Sequence, residues 1–421
     1  MRHFFGKIRA FSSMILSFDV LLLATFLLLI FSEQKNIRYC FLGVRSISIT
    51  DISFIMAGCI FVVSCFKDGR AKELIKMALS FWYILLPLFS LVLLYLVLPL
   101  NSGNFEINSY LLAGCSIFLV ISFLLLSKYP EDEIVMFVFR YGLISVFFFL
   151  LMLICLFTLR FPPFYYGDGT PALHFPFNSP GQAAVFGSVI LMLSVGSILA
   201  LGKNKLLYVV VPIMAVAIPQ TGSRSVTWLL VNAWIVFLLL YFLYEKFILN
   251  KKPLQSIHLV LCTVLSIIFL SVFAYDTQFL RSVSLFNTPI RELVSGAPDA
   301  RREEMWKTPF QARPICSKIS VTATQGSLHN IYLDLLASGG VLSLALFSIF
   351  LFSLLMPLLM AIGRKKASKN YPFYLSIGLT FFIILGGLYS NPFLHLRFIW
   401  VFWGLVMAIL YQKNPRTVNT E

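Results

Sequence analysis

Chemically competent side chains are sparse in this chain, and the clearest group surrounds a histidine. His329-Asn330 stands at the start of a long apolar stretch, and Asp334 lies inside that stretch, five residues after His329. An unperturbed histidine titrates near neutral pH and so suits proton transfer. A carboxylate within an apolar helix needs a partner or water. A single loop histidine is the ordinary alternative, but a histidine followed by an embedded acid favours a functional site.

An arginine at the start of another apolar run is the second candidate. Arg224 follows the polar segment Thr221-Gly222-Ser223. A guanidinium group stays charged and presents several donors in a planar fork, which suits anion binding. Two structural alternatives stand beside this interpretation. An arginine at the end of a span can extend to the interface, and Ser223 and Ser225 suit helix capping.

A charged segment between two apolar runs carries further arginines. It contains Arg291, Arg301 and Arg302, and Trp306 lies four residues after Arg302, on the same face of a predicted helical turn. The alternative is a solvated, self-paired loop in which Trp306 is an interfacial anchor. Long connections between packed helices usually have a function. We therefore expect the reaction to take place on the side of the membrane where this segment lies.

The elements that must position these residues are membrane helices. The chain has 421 residues, of which 59% are hydrophobic and 12% charged, with a mean hydropathy of +0.88. Soluble domains carry about 25% charged residues, so this composition excludes a water-soluble protein. The net charge of +15 would raise nucleic acid as a partner in a soluble protein. Here basic residues flanking membrane spans account for it better, and we expect no nucleic-acid partner.

Apolar runs long enough to cross a bilayer predict about twelve transmembrane helices. They lie near 14–31, 52–66, 77–100, 110–127, 135–159, 183–201, 206–219, 226–244, 257–274, 341–362, 373–389 and 395–411. With both termini cytoplasmic, nineteen of the 33 basic residues fall inside and six outside, apart from the long segment 275–330. This asymmetry follows the positive-inside rule. The chain thus divides into helices 1–9 at 1–274, a large external loop at 275–330, and helices 10–12 with a tail at 331–421.

Cysteines and metal ligands give little further chemistry. Five of the seven cysteines lie in apolar runs, while Cys40 and Cys316 fall in predicted external loops, where a disulfide is one interpretation. The chain has no CxxC pair and no Asp-x-Asp motif. We therefore expect no metal site and no cofactor.

Three motifs in this order resemble those of the bacterial O-antigen ligases and O-antigen (polysaccharide) polymerases. His329-Asn330, nine residues and then Gly340 is similar to their His-Asn-x9-Gly signature, and Thr221-Gly222-Ser223-Arg224 to a short Ser-Arg motif before a span. Arg302 and Trp306 resemble their Arg-x3-Trp segment in the large external loop. The resemblance covers roughly 220–345 in motifs and the whole chain in topology. One departure is Ser343, where ligases often carry Gly, Thr or Tyr.

The resemblance implies an all-α integral-membrane glycosyltransferase with its large loop, between helices 9 and 10, in the periplasm. The donor would be a glycan on undecaprenyl diphosphate in the bacterial inner membrane, transferred without a metal to a sugar hydroxyl. His329, Arg224 and Arg302 are the implied catalytic residues. Asp334 would orient the histidine, bind a sugar hydroxyl or stabilise the bundle. The implied substrate-binding residues are Arg291, Arg301, Asn330, Tyr332, Asp334 and Trp306.

The identity of the acceptor separates two activities within this class. A polymerase would use another lipid-linked repeat, and a ligase would use the sugar core of lipid A. The Ser343 departure favours the polymerase, and membrane lipid and a chain-length regulator are the further expected partners. A lipid-linked oligosaccharide flippase is the alternative from another class. Transporters are usually built from repeated halves, whereas this chain shows no internal repeat and has one dominant external loop.

Overall fold

A computed structural model defines most of the predicted helices. It describes residues 38–41, 44–48, 52, 55–60, 62–63, 71–102, 107–156, 164–165, 171–173, 177, 180–221, 223–250, 254–274, 331–366, 368–390 and 396–411. The predicted first span at 14–31 and the segment 275–330 lie outside these residues.

The described part is a helical bundle with two short antiparallel strand pairs. The strands are β1 (Arg38–Phe41) with β2 (Val44–Ser48), and β3 (Phe164–Tyr165) with β4 (Pro171–Ala172). The first helices are α1 (Ala71–Ser80), α2 (Trp82–Ser102), α3 (Ile107–Leu126), α4 (Glu131–Ile154), α5 (Pro180–Ala200) and α6 (Leu207–Gln220). They are followed by α7 (Arg224–Leu243), α8 (Leu254–Ala274), α9 (Ile331–Arg364), α10 (Tyr371–Ser390) and α11 (Arg397–Tyr411).

These helices make the protein a membrane-embedded all-α structure. Within the described ranges, five helical segments are long and apolar enough to cross a membrane. They are Glu131–Ile154, Gly181–Ala200, Ser225–Ile248, Gly339–Arg364 and Tyr371–Leu388. Shorter apolar helices account for most of the remaining predicted runs, and the total of twelve spans stays a prediction. The predicted run 77–100 is divided, because a turn at Phe81 separates α1 from α2.

One end of the bundle is held together by polar contacts among basic and acidic residues. We call it the basic end, and its basic side chains include Lys128, Lys203, Lys246, Lys365 and Lys369. The Lys365 ammonium lies 2.5 Å from a Glu131 carboxylate oxygen, and Asn370 Nδ2 donates to Glu131 at 2.8 Å. Glu131 lies in the first turn of α4, where the helix dipole favours negative charge. These contacts join α4 to the connection between α9 and α10.

A second contact at the basic end fixes the start of α8. The buried Glu245 carboxylate accepts hydrogen bonds from the Ser256 backbone N–H at 2.7 Å and from the Ser256 hydroxyl at 2.5 Å. A carboxylate that accepts from free N–H groups caps a helix start. Tyr208 and His258 also meet there, with 2.6 Å between the hydroxyl oxygen and Nδ1. This contact joins α6 to α8 and gives His258 a structural role.

The opposite end of the bundle receives both flanks of the segment 275–330. Since α8 starts at the basic end and α9 finishes there, Ala274 and Ile331 lie at the other end. We call it the loop end; it is defined by Ala274, Ile331, Arg224 and Arg397. The His329-Asn330 motif directly precedes Ile331 in sequence, so the chain enters the bundle next to it.

The interior of the bundle is formed by α5, α10 and α11. Helix α5 is buried along nearly its whole length, and α11 buries Trp400 and Trp403 completely. These indoles pack on each other at 4.9 Å between ring centroids, and on Phe347 and Phe350 of α9 at 5.2 to 6.3 Å. By contrast, α7 and α8 expose apolar faces, as expected for helices in contact with lipid.

Candidate functional site at the loop end

The glycine of the His-Asn-x9-Gly segment breaks helix α9. Gly340 has φ 70° and ψ −168°, a combination that is essentially restricted to glycine. The break divides α9 into a short first segment, 331–339, and a long second segment, 341–364. Nine helical residues extend about 13 Å, so the first segment is a short helix of its own between His329-Asn330 and the break.

Tyr332 connects this first segment to α10. Its half-buried side chain donates a hydrogen bond from the hydroxyl to the Leu385 carbonyl oxygen, at 3.4 Å. The ring also packs on Phe347, with 6.2 Å between centroids. In the structure its hydroxyl contacts the backbone of α10. The substrate-binding role that the sequence suggests for Tyr332 stays a prediction.

Two glycines next to Leu385 bring other helices to the same turn of α10. A Cβ built on Gly386 would lie 2.7 Å from both methyl carbons of Leu229 on α7. A Cβ built on Gly387 would lie 3.1 Å from Cγ2 of Val185 on α5. Both helices can come this close only because glycine has no side chain, since real Cβ atoms rarely make contacts this short. Helices α5, α7 and the first segment of α9 therefore converge on Leu385–Gly387.

The Ser-Arg motif lies one to two turns from that convergence. Arg224 is the first residue of α7, about five residues before Leu229; the structure describes its backbone position. Ser223 occupies the N-cap position with an extended backbone and makes no side-chain cap. Its carbonyl oxygen instead accepts from the Thr227 hydroxyl at 2.8 Å. The predicted capping role of Ser223 is therefore not realised through its side chain.

Hydrogen bonds to backbone carbonyl groups fix the turn before Arg224, and the buried side-chain amide of Gln220 lies in the same turn. The Thr221 hydroxyl donates to the Ile218 carbonyl at 2.7 Å, and the Gln220 carbonyl accepts from the Leu173 N–H at 2.8 Å. The Gln220 side chain is 1% exposed, and its Nε2 has no hydrogen-bond partner among the described residues. A buried amide donor normally finds a partner. Gln220 is therefore a candidate for binding a substrate oxygen.

Asp334 is half-buried in the first turn of α9. The partial positive charge at a helix start favours an anionic carboxylate there. The position is one turn after the chain leaves His329-Asn330, at the loop end. This placement is compatible with each of the roles that the sequence suggested, namely orienting the histidine, binding a sugar hydroxyl or stabilising the helix start.

Arg397 is a cation at the loop end that the sequence pattern predicts as an ordinary external residue. It is the first residue of α11 and is only 3% exposed, with its guanidinium 5.9 Å from the Phe118 ring centroid. The adjacent Phe398 packs on Phe186 of α5 at 5.2 Å. A buried arginine is uncommon unless it is paired. The signal in the sequence was the dense apolar run that begins directly after Arg397.

The remaining predicted site residues lie outside the described part of the chain. They are His329, Asn330, Arg291, Arg301, Arg302 and Trp306. Cys316 lies outside it too, so a bond from Cys40 to Cys316 stays a prediction. Among the described residues no group of three or more His, Cys, Asp and Glu side chains is arranged to hold a metal ion.

The chemistry available at the loop end is therefore that of positioned donors and cations beside an apolar bundle. The described residues supply two cation positions at helix starts, one buried amide and one carboxylate. The cations and the amide donor can stabilise developing negative charge, most strongly where water is excluded. No known protein family has a sequence model that matches this chain, and no curated protein matches it either. The family resemblance is therefore carried by the three motifs and their order.

Proposed function

We propose that this protein is a glycosyltransferase that takes a glycan from undecaprenyl diphosphate and joins it to a sugar hydroxyl at the periplasmic face of the bacterial inner membrane. The most specific form of the proposal is polymerisation of O-antigen or another surface polysaccharide. Transfer to the core of lipid A is the alternative. Both termini are cytoplasmic in this proposal, and the segment 275–330 is periplasmic.

One observation carries the proposal more than any other. Two motifs that are more than one hundred residues apart in sequence, Thr221–Arg224 and His329–Gly340, belong to elements that meet at Leu385–Gly387 of α10. A single transfer site needs the two motifs close together, because the base acts on the acceptor oxygen that attacks the anomeric carbon and the anion-binding group acts on the diphosphate oxygen that leaves it.

The reaction assigns a role to each group. The acceptor hydroxyl oxygen attacks the anomeric carbon, and the bond from that carbon to the diphosphate oxygen breaks, so the diphosphate leaves with the electron pair. His329 removes the hydroxyl proton as general base. Arg224 and Arg302 neutralise the diphosphate, since a guanidinium fork matches two phosphate oxygens. The sugars and the lipid-linked phosphates are bound by Asn330, Tyr332, Asp334, Arg291, Arg301 and Trp306.

The test of this proposal is transfer by a His329→Ala variant. Purified protein is given an undecaprenyl-diphosphate glycan in detergent, and product is measured per folded molecule. Loss of a general base costs about 10²–10⁴-fold in rate, so we expect a loss of that size at normal membrane levels. The control is His258→Ala, which removes a histidine at the basic end and should leave transfer nearly unchanged. Equal transfer by wild type and His329→Ala would contradict the assignment.

A deletion of the gene distinguishes the acceptors. Loss of a polymerase leaves lipopolysaccharide with core plus one repeat, whereas loss of a ligase leaves core alone and glycan accumulates on the external lipid carrier. Loss of a flippase also leaves core alone, but without external lipid-linked glycan. The gel pattern together with the location of the lipid-linked glycan therefore separates the three activities.

A further inference from the structure

A buried hydrogen bond between the neighbouring helices α2 and α9 lies next to the break at Gly340. Ser343, three residues after the break, is fully buried, and its Oγ lies 2.9 Å from the hydroxyl oxygen of Tyr95 on α2. Tyr95 itself is 7% exposed. Hydrogen bonds of this kind are strengthened by the low local dielectric and are costly to leave unmade.

The residues of this bond lie close to the backbone at the break. A Cβ built on Gly339 would lie 2.5 Å from the Ser343 Cβ and 3.3 Å from the Tyr95 hydroxyl oxygen. The tyrosine hydroxyl therefore reaches Ser343 directly beside the backbone that turns at Gly340. Helix α2 contacts α9 at the point where the direction of α9 changes.

We propose that Tyr95 and Ser343 form a latch that sets the direction of the first segment of α9, and that they act as positioning residues for His329. This inference rests on the proposed function. The 3.4 Å bond from Tyr332 to Leu385 holds the first segment directly. The latch holds the start of the second segment at the break, where the Tyr95 hydroxyl also lies next to Gly339. The latch has the shorter donor–acceptor distance and is the more buried, and it lies next to the only non-helical backbone angles described within α9.

Loss of the latch should affect the chemical step more than donor binding. The proposed base is attached to the segment that Gly340 orients, whereas Arg224 belongs to α7, and Arg302 lies far from Gly340 in sequence. A displacement of about 1 Å at a reacting group can cost 10²-fold in rate. We therefore expect kcat to fall about tenfold to 10²-fold while KM for the donor is retained.

The experiment is a double-mutant cycle with Tyr95→Phe, Ser343→Ala and the combined variant. Each single change removes one hydroxyl and little volume, so the bundle can still assemble. Matched controls are Tyr83→Phe on α2 and Ser348→Ala on α9, because both side chains are exposed and the Ser348 hydroxyl donates to the Leu344 carbonyl of its own helix. Transfer kinetics and the melting temperature in detergent are measured for all five variants.

A latch predicts equal kcat losses in the two single variants and no further loss in the double variant, since both changes break the same bond. The controls keep wild-type kcat. Wild-type kcat in Tyr95→Phe and Ser343→Ala, or losses that multiply in the double variant, would overturn the latch. So would a lower melting temperature with unchanged kcat per folded molecule. If the proposed function itself is wrong, the result differs, because transfer by His329→Ala would then equal transfer by the wild type.

Discussion

Arg224 offers the sharpest test at the scale of a single residue, since it separates charge from geometry. If the Arg224 guanidinium binds the diphosphate, a lysine in its place keeps the charge but loses the bidentate contact. We expect Arg224→Lys to insert and fold normally and to lose most transfer activity. Arg302→Lys should behave similarly, with a smaller loss because Arg301 is adjacent. The measurement is transfer at several donor concentrations by the purified variants.

An interfacial arginine would give the opposite result. If Arg224 only anchors the start of α7 at the membrane surface, lysine is sufficient, because a charge at the interface is all that is needed. Full activity in both lysine variants would therefore assign the two arginines to anchoring. Addition of a chelator is a useful companion measurement, and we expect it to leave transfer unchanged.

The individual residues of the candidate site differ in how far the sequence predicts them. Motif spacing points to Arg224 and to the segment that ends at Gly340, because the residues within each motif are close together in the chain. Tyr95 was not identified, since its partner Ser343 is 248 residues away and its own apolar run contains no motif that marks it. The sequence predicts Arg397 as an external residue at the end of a span. Its burial was not predicted, since it depends on contact with α3, where Phe118 lies 5.9 Å from the guanidinium, and the apolar run that follows Arg397 is the only local signal.

At the scale of elements, the broken helix α9 makes a prediction about its glycine. Gly340→Ala forces a side chain into φ 70°, and such backbone strain costs about 1–3 kcal/mol. We expect a lower melting temperature in detergent and a loss of transfer, because the first segment of α9 must reorient to relieve the strain.

Another glycine of the same helix provides the control. A Cβ built on Gly363 has nothing within 4 Å, so Gly363→Ala should be neutral or slightly stabilising, by about 0.5–1 kcal/mol. If Gly340→Ala melts at the same temperature as Gly363→Ala, the backbone at 340 is helical in the protein and the division of α9 into two segments is wrong.

Helix positions were predictable from the sequence, whereas helix breaks were not. The apolar runs gave the locations of α3 to α8 closely, since about twenty apolar residues leave few alternatives. The turn at Phe81 lies inside the predicted run 77–100, and the break at Gly340 directly precedes the predicted run 341–362. Hydropathy carries no signal of backbone direction at either place. Hydropathy therefore predicts the segment 331–339 as the approach to a span and not as an element of its own.

At the scale of the whole molecule, the separation between a basic end and a loop end makes a prediction about topology. The contacts of Lys365, Lys369 and Glu245 all lie at one end, and the positive-inside rule assigns that end to the cytoplasm. We expect a periplasm-active reporter to be silent when fused after Glu421 and active when inserted near Pro298. The reverse pattern would mean that the loop end faces the cytoplasm, so the proposed site would be on the opposite side of the membrane from a periplasmic lipid-linked donor.

The burial of α10 and α11 has a consequence for how the protein is made. Chains are synthesised from the N-terminus, and early segments begin to fold before later ones emerge. Here the helices that fill the interior, with Trp400 and Trp403 fully buried, are the last described ones to leave the ribosome. The inner faces of α3 and α5 must therefore be covered by lipid or by a chaperone until α11 has been translated. Assembly of the bundle is therefore completed only after α11 has been synthesised.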